Sequence, residues 1–178
     1  MRAYILGINH QIQWVKLWSA GSSAGGGPER FEREQKDKFR ELLRKRIAER
    51  NAQFVGEETK HGEPAIAHEV CDSVGCRYEN IEMPLEERKA RKIPPNYEND
   101  RTIQPSEMDR FNKLREDFMF RKFFVEAGGE ESAIAICGRN HAATLAERFR
   151  SAHHTVEVAD IQEEFWYVED WQTQMMRL

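Results

Sequence analysis

The chain has little that would tie it to a membrane, a disulfide framework or a nucleotide phosphate. No apolar run approaches the about 18 residues that a membrane span requires, so no segment is expected to cross a bilayer. The opening "MRAYILGINHQ" has a single arginine and too short an apolar stretch to read as a signal peptide. Cysteines number three, Cys71, Cys76 and Cys137, and the first two lie five apart with no second pair. That excludes a zinc knuckle and a Cys-x-x-Cys redox motif, and a reduced, cytoplasmic protein is the plain reading. Cys137, inside an apolar run, reads as a small buried hydrophobe. Neither Gly-x-Gly-x-x-Gly nor a phosphate-loop lysine motif is present, which leaves nucleotide binding a distant reading. Positive charge is not in surplus. A net charge of -4 and a pI of about 5.9 argue against nucleic acid as the main partner.

What is present fits one domain. At 178 residues the chain can bury a core without staples, and its 39% hydrophobic and 33% charged residues describe a globular protein with a wet surface. Short apolar runs punctuated by glycine, "RAYIL", "AQFVGEE", "CRYENIEM", "SAIAIC" and "TVEVAD", read as five strands. Between them lie helical patterns. Residues 29–50 hold fifteen charges among twenty-two residues, nine basic and six acidic, around a stripe of Phe31, Phe39, Leu42, Leu43 and Ile47. Mixed signs three or four apart suit a solvated helix packed by a narrow apolar face. A short helix is expected over "PAIAHEVCDSVG", another within the basic, proline-rich residues 84–104, and a good one over "AATLAERFRSA". The stretch "SEMDRFNKLREDFMFRKFFVEAG" carries Met108, Phe111, Leu114, Phe118 and Met119 on one face, with Ser106 as its expected N-cap and Gly128 as its stop.

Residues 19–29 are Gly/Ser-rich and read as a slack connector, with a flap as the alternative. The tail, residues 163–178, carries Phe165, Trp166, Tyr167 and Trp171 among acids, and is expected to pack on the body or pair two copies as a homodimer. Strands alternating with helices predict a three-layer α/β fold: a mainly parallel sheet of about five strands with helices on both faces.

Two strands end in nearly the same words, Gly7-Ile8-Asn9-His10 and Gly138-Arg139-Asn140-His141. In an open parallel sheet a ligand site forms beyond the carboxyl ends of the strands. Those ends gather His10, Glu57, Glu58, Glu82, His141 and Asp160 on one rim. A histidine at the first turn of a helix is disfavoured as imidazolium, so His141 is expected to be neutral near pH 7. Two imidazoles with one or two carboxylates match a zinc, manganese or cobalt hydrolytic site, and without metal they suit a general base and an electrophile acting on an ester. A single strand-end histidine is more often a hydrogen-bonding residue than a ligand; the repetition is what points to function.

The order of these motifs resembles the TraB/Tiki superfamily, whose relatives include the erythromycin esterases and ChaN-like proteins. The two Gly-x-x-His elements fall on Gly7 to His10 and Gly138 to His141, and the strand-end glutamate on Glu57, with Glu58 one residue off. The superfamily's Glu-Arg-Asp-x-x-Met helix resembles Leu114-Arg115-Glu116-Asp117-Phe118-Met119, in which Arg115 and Met119 match and Leu114 departs. A strand ending in Asp-Arg-Pro corresponds loosely to Glu82-Met83-Pro84. The resemblance implies a hydrolase of peptide, ester or phosphoester bonds on a small-molecule or peptide substrate. His10, Glu57 and His141 would activate a water, and Arg115 would steady the developing negative charge. A divalent metal would be held by His10, Glu57 and His141 with Glu58 and Glu82, while Gly7, Asn9, Gly138 and Asn140 would shape the binding site. Haem is the minor alternative implied by the ChaN branch. A binding protein without turnover, or an interaction module working through the charged helix and the tail, are the rival readings.

Overall fold

The computed structural model describes residues 1–8, 10–13, 27–62, 64–95, 97 and 100–160, and the side chains of these except at residues 11, 27–31 and 160. Asn9, most of the Gly/Ser stretch and the C-terminal tail therefore lie outside the described residues. Five strands form one sheet: β1 (Arg2–Ile8), β2 (Phe54–Glu57), β3 (Arg77–Asn80), β4 (Ser132–Gly138) and β5 (Thr155–Asp160). Their order is β3-β2-β4-β1-β5 and every pairing is parallel. The helices are α1 (Gly27–Arg50), α2 (Ile66–Val74), α3 (Leu85–Ala90), α4 (Pro105–Ala127) and α5 (Arg139–Ser151). None of the described helices is long and apolar enough to cross a membrane.

The central strands are buried on both faces, as parallel strands must be when helices cover both sides. Every residue of β4 is buried, as are six of the seven in β1. Alternation sorts them: Tyr4, Leu6, Ile8, Ile134 and Ile136 pack with α1 and α2, whereas Ala3, Ile5, Ala133, Ala135 and Cys137 pack with α4 and α5. On the second face Phe123 is fully buried, with its ring edge-on to Phe54 at 5.2 Å and to Phe149 at 5.1 Å. The α1 stripe of Phe39, Leu42, Leu43 and Ile47 is buried as its spacing requires.

Two local details differ from expectation. The charged helix α1 starts at Gly27, so the last residues of the Gly/Ser stretch belong to it. Helix α4 starts with Pro105 at its first position behind Gln104, and no side chain caps it. Proline's fixed φ suits that first position and its missing N–H leaves nothing to satisfy, so Ser106 falls inside the helix instead of capping it. Gly128, with φ of 56°, does end α4 in the left-handed conformation.

The strand order places the site. The chain leaves β2 toward β3 and leaves β4 toward β5, in opposite directions, which makes the carboxyl ends of these adjacent strands the topological switch point of the sheet. Replacing Phe123 with alanine should remove the keystone of the second face and lower unfolding free energy by about 3–5 kcal/mol. Urea denaturation measures this, and a loss below about 1 kcal/mol would show that the face is not packed as described.

Candidate active site

The two repeated elements meet. They end the neighbouring strands β1 and β4, where Gly7 pairs with Cys137 and Ile8 with Gly138. Each glycine makes room for the other element. A Cβ on Gly138 would lie 2.6 Å from His10 Nε2, and one on Gly7 would lie 3.1 Å from the Ala142 Cβ and 3.4 Å from the Arg139 Cα of α5. The first glycine thus admits the second element's helix, and the second glycine admits the first element's imidazole.

Between them stands Glu58. It follows β2 directly, its N–H donating to the Ile136 carbonyl at 2.8 Å, and its side chain is 1% exposed. Oε1 accepts from Arg115 Nη2 at 2.8 Å and Oε2 from the Gly138 N–H at 2.8 Å. His141 Nε2 faces Oε1 at 3.6 Å and His10 Nε2 faces it at 3.9 Å. His10 is the open wall, with its side chain 45% exposed, against 10% for His141.

Each imidazole is held from behind by a different group. Gln13, fully buried, donates through Nε2 to Glu57 Oε1 at 2.9 Å and to the Glu58 carbonyl at 2.8 Å. That orientation leaves Gln13 Oε1 to accept from His10 Nδ1 at 2.7 Å, so His10 carries its proton on Nδ1 and presents Nε2 to the crevice. His141 Nδ1 donates instead to the Glu116 carboxylate at 2.9 Å, and Arg148 lies 3.4 Å from the other Glu116 oxygen. Burial pulls His141 down, but the Glu116 hydrogen bond and the Glu58 charge outweigh it, so its pKa is raised. The direction of this shift is opposite to the one expected from the helix N-terminus, because two carboxylates face the ring.

The predicted residues divide accordingly. His10, His141, Glu58, Arg115, Gly138 and Gly7 converge. Glu57 does not: as the last residue of β2 it points to the α1/α2 face, where Gln13 and the Tyr78 hydroxyl (2.8 Å) take its two oxygens. Among the described residues, it touches the cluster only through Gln13. Glu82 is locked between Arg115 Nη2 at 2.6 Å and Arg88 Nη2 at 2.8 Å, with the Met83 N–H on Oε1. Burial alone would raise Glu82, yet the Arg115 and Arg88 charges hold it at about 2. Arg115 is itself buried and committed to Glu58, Glu82 and the Tyr97 hydroxyl, so it positions carboxylates and is not free to meet a substrate. Asn140 is exposed beside His141 on a groove of about 820 Å³ between α4 and α5, lined also by Asn112, Glu116, Phe120, Thr144 and Arg148.

The donor set does not fit a divalent metal. Glu57 and Glu82 have their oxygens engaged elsewhere, and a cation at Glu58 Oε1 would share that atom with a guanidinium. Among the described residues, no group of three or more His, Cys, Asp or Glu side chains is arranged to hold a metal ion. What the arrangement offers is two imidazoles, one held by an amide and one by a carboxylate, facing a common fixed charge. Gln13, Tyr78 and Tyr97 escape the motif reading, and Glu116, which stands at the aspartate position of the motif, was given no role by it. Only Gln13 leaves a local trace, three residues after His10 and directly behind the one-turn 3-10 helix His10–Ile12, its N–H donating back to the His10 carbonyl at 3.3 Å.

No known protein family, no curated protein and no solved structure matches the chain.

Full burial raises the Glu57 pKa to about 7, against the lowering effect of the Tyr78 and Gln13 hydrogen bonds. The native state then holds a proton that the unfolded chain releases near 4.5. Stability from Glu57 is complete below that value and is lost as pH rises through about 7. Glu57→Gln should gain stability relative to wild type progressively between pH 5 and pH 8, on the order of 2–3 kcal/mol by urea denaturation. A difference independent of pH would contradict this placement of Glu57.

Proposed function

We propose that this protein is a hydrolase of carboxylic esters that works with two histidines and no metal. The observation that carries the reading is the convergence of both Nε2 atoms on Glu58, with unlike partners behind them. His10, on the exposed side, is the general base: with Nδ1–H donated to Gln13, its Nε2 lone pair is free to take a proton from water. His141, raised in pKa and backed by Glu116, is the electrophile, and its Nε2–H stabilises the negative charge that develops on the ester carbonyl oxygen. The water oxygen bonds to the carbonyl carbon as its proton passes to His10. The tetrahedral intermediate then expels the alcohol, which leaves with that proton. Glu58, fixed by Arg115 and the Gly138 N–H, keeps both rings aimed at one point. The groove beside Asn140 is the natural seat for the body of the substrate.

This reading agrees with what the motif order resembles, because the esterase branch of the TraB/Tiki superfamily is described as metal-free and histidine-based. Arg115 departs from its expected part and serves by holding Glu58.

A panel of p-nitrophenyl carboxylic esters, p-nitrophenyl phosphate and peptide anilides tests the proposal. Ester turnover should survive chelation and fall by about 10²–10⁴-fold in His10→Ala and in His141→Ala variants that remain folded by circular dichroism. Turnover that chelator abolishes, or that either variant retains in full, would overturn it.

A further inference from the structure

Behind His10 a chain of hydrogen bonds continues past the residues that face Glu58. His10 Nδ1 lies 2.7 Å from Gln13 Oε1, Gln13 Nε2 donates to Glu57 Oε1 at 2.9 Å, and the Tyr78 hydroxyl donates to Glu57 Oε2 at 2.8 Å. The far half of this chain is built by strand parity. Tyr78 of β3 pairs with Val55 of β2, and Glu57, two residues on, points to the same face as Val55. The Tyr78 ring packs on that face and is steadied by a stack on His68 of α2, with centroids 4.7 Å apart and planes at 12°.

An amide beside an imidazole can serve either tautomer. With its oxygen toward the ring it accepts from Nδ1–H; with its nitrogen toward the ring it donates to a bare Nδ1, and the ring proton sits on Nε2. In the second case Nε2 is a donor and takes no proton from water. What stands at the other end of the amide decides between the two. Gln13 is fully buried, and its Nε2 meets two acceptors, Glu57 Oε1 and the Glu58 carbonyl at 2.8 Å. Turned over, the amide would set its oxygen against both with no hydrogen between, which burial makes costly.

The Glu58 carbonyl is always an acceptor, whereas a carboxyl oxygen is one only while it carries no proton. Tyr78 secures that condition at Glu57. A hydroxyl donates to Oε2 of a carboxylate and accepts from Oε2 of a carboxylic acid, so Oε1 faces Gln13 as an acceptor in either state.

We propose that Glu57 and Tyr78 are positioning residues for His10, holding the Gln13 amide in the one orientation that keeps the ring proton on Nδ1. Neither touches the reacting atoms; both act through the amide. Their catalytic consequence rests on the hydrolase reading, while the tautomer they impose does not.

Nitrogen NMR of the His10 ring at about pH 7.5, where an ordinary imidazole is mostly neutral, reads the tautomer without substrate. Wild type, which needs no variant to fold, should carry the proton on Nδ1. Glu57→Met, which removes the acceptor at similar bulk, should move the ring toward the Nε2–H tautomer. It should also lower kcat for p-nitrophenyl acetate about 10-fold at little-changed KM. Glu57→Gln should restore both, because its oxygen accepts from Gln13 while its NH2 donates to the Tyr78 hydroxyl. Tyr78→Phe, which loses one hydroxyl and lets Glu57 take a proton on Oε1, should give a mixture of the two tautomers. The ring is read whether or not wild type turns over esters, so failure here and failure of the hydrolase reading are separate results. A proton on Nε2 in wild type, a tautomer unchanged by Glu57→Met because the Glu58 carbonyl alone sets the amide, or a tautomer unchanged by Tyr78→Phe would each overturn the proposal.

Discussion

The structure at the carboxyl edge of the sheet depends on one buried carboxylate. Glu58 is almost completely removed from water, a state that costs several kcal/mol for an unpaired ion. Arg115 from α4, the Gly138 amide from the end of β4, and the facing rings of His10 and His141 offset that cost from three directions. Groups from four elements are therefore tied to one side chain. The reach of Arg115 extends the tie to Glu82 and, through its Nη1, to Tyr97. Position and charge are fixed together.

Around that centre, the two imidazoles are made unlike by what stands behind them. An amide oxygen on His10 fixes the tautomer without adding charge, whereas a carboxylate on His141 favours the imidazolium. Environments that separate two otherwise identical groups are how acid and base roles are divided within one site. The glycines supply the other half of the design. Without the bare Cα of Gly138, His10 could not lie against the end of β4, and the two rings would not share a target.

Much of this was legible in the residues. Five strands and five helices stand where glycine punctuation and apolar periodicity put them, and the repeated Gly-x-Asn-His words mark neighbouring strand ends. Glu57 shows where such reading stops. Successive strand residues face opposite sides, so a one-residue uncertainty in where β2 ends decides between the α1/α2 layer and the crevice. Composition cannot resolve that parity; the register of Glu57 against Ile136 does. The upward shift of His141 was out of reach of the sequence for a related reason. A helix terminus is visible locally, but Glu116 lies 25 residues earlier and meets the ring only through the packing of α4 on α5. Arg115 was found by its place in a motif, and its burial between two carboxylates belongs to tertiary structure alone.

The claim that one carboxylate organises both histidines is tested most directly by nitrogen NMR of the imidazole rings in wild type and Glu58→Gln. The account predicts protons on Nδ1 of both rings in the neutral state, and a fall in the His141 pKa in the variant as the Glu58 charge disappears. The Nε2 signals of both rings should change together. Ring signals and titrations unchanged by Glu58→Gln, in a variant that remains folded, would contradict it.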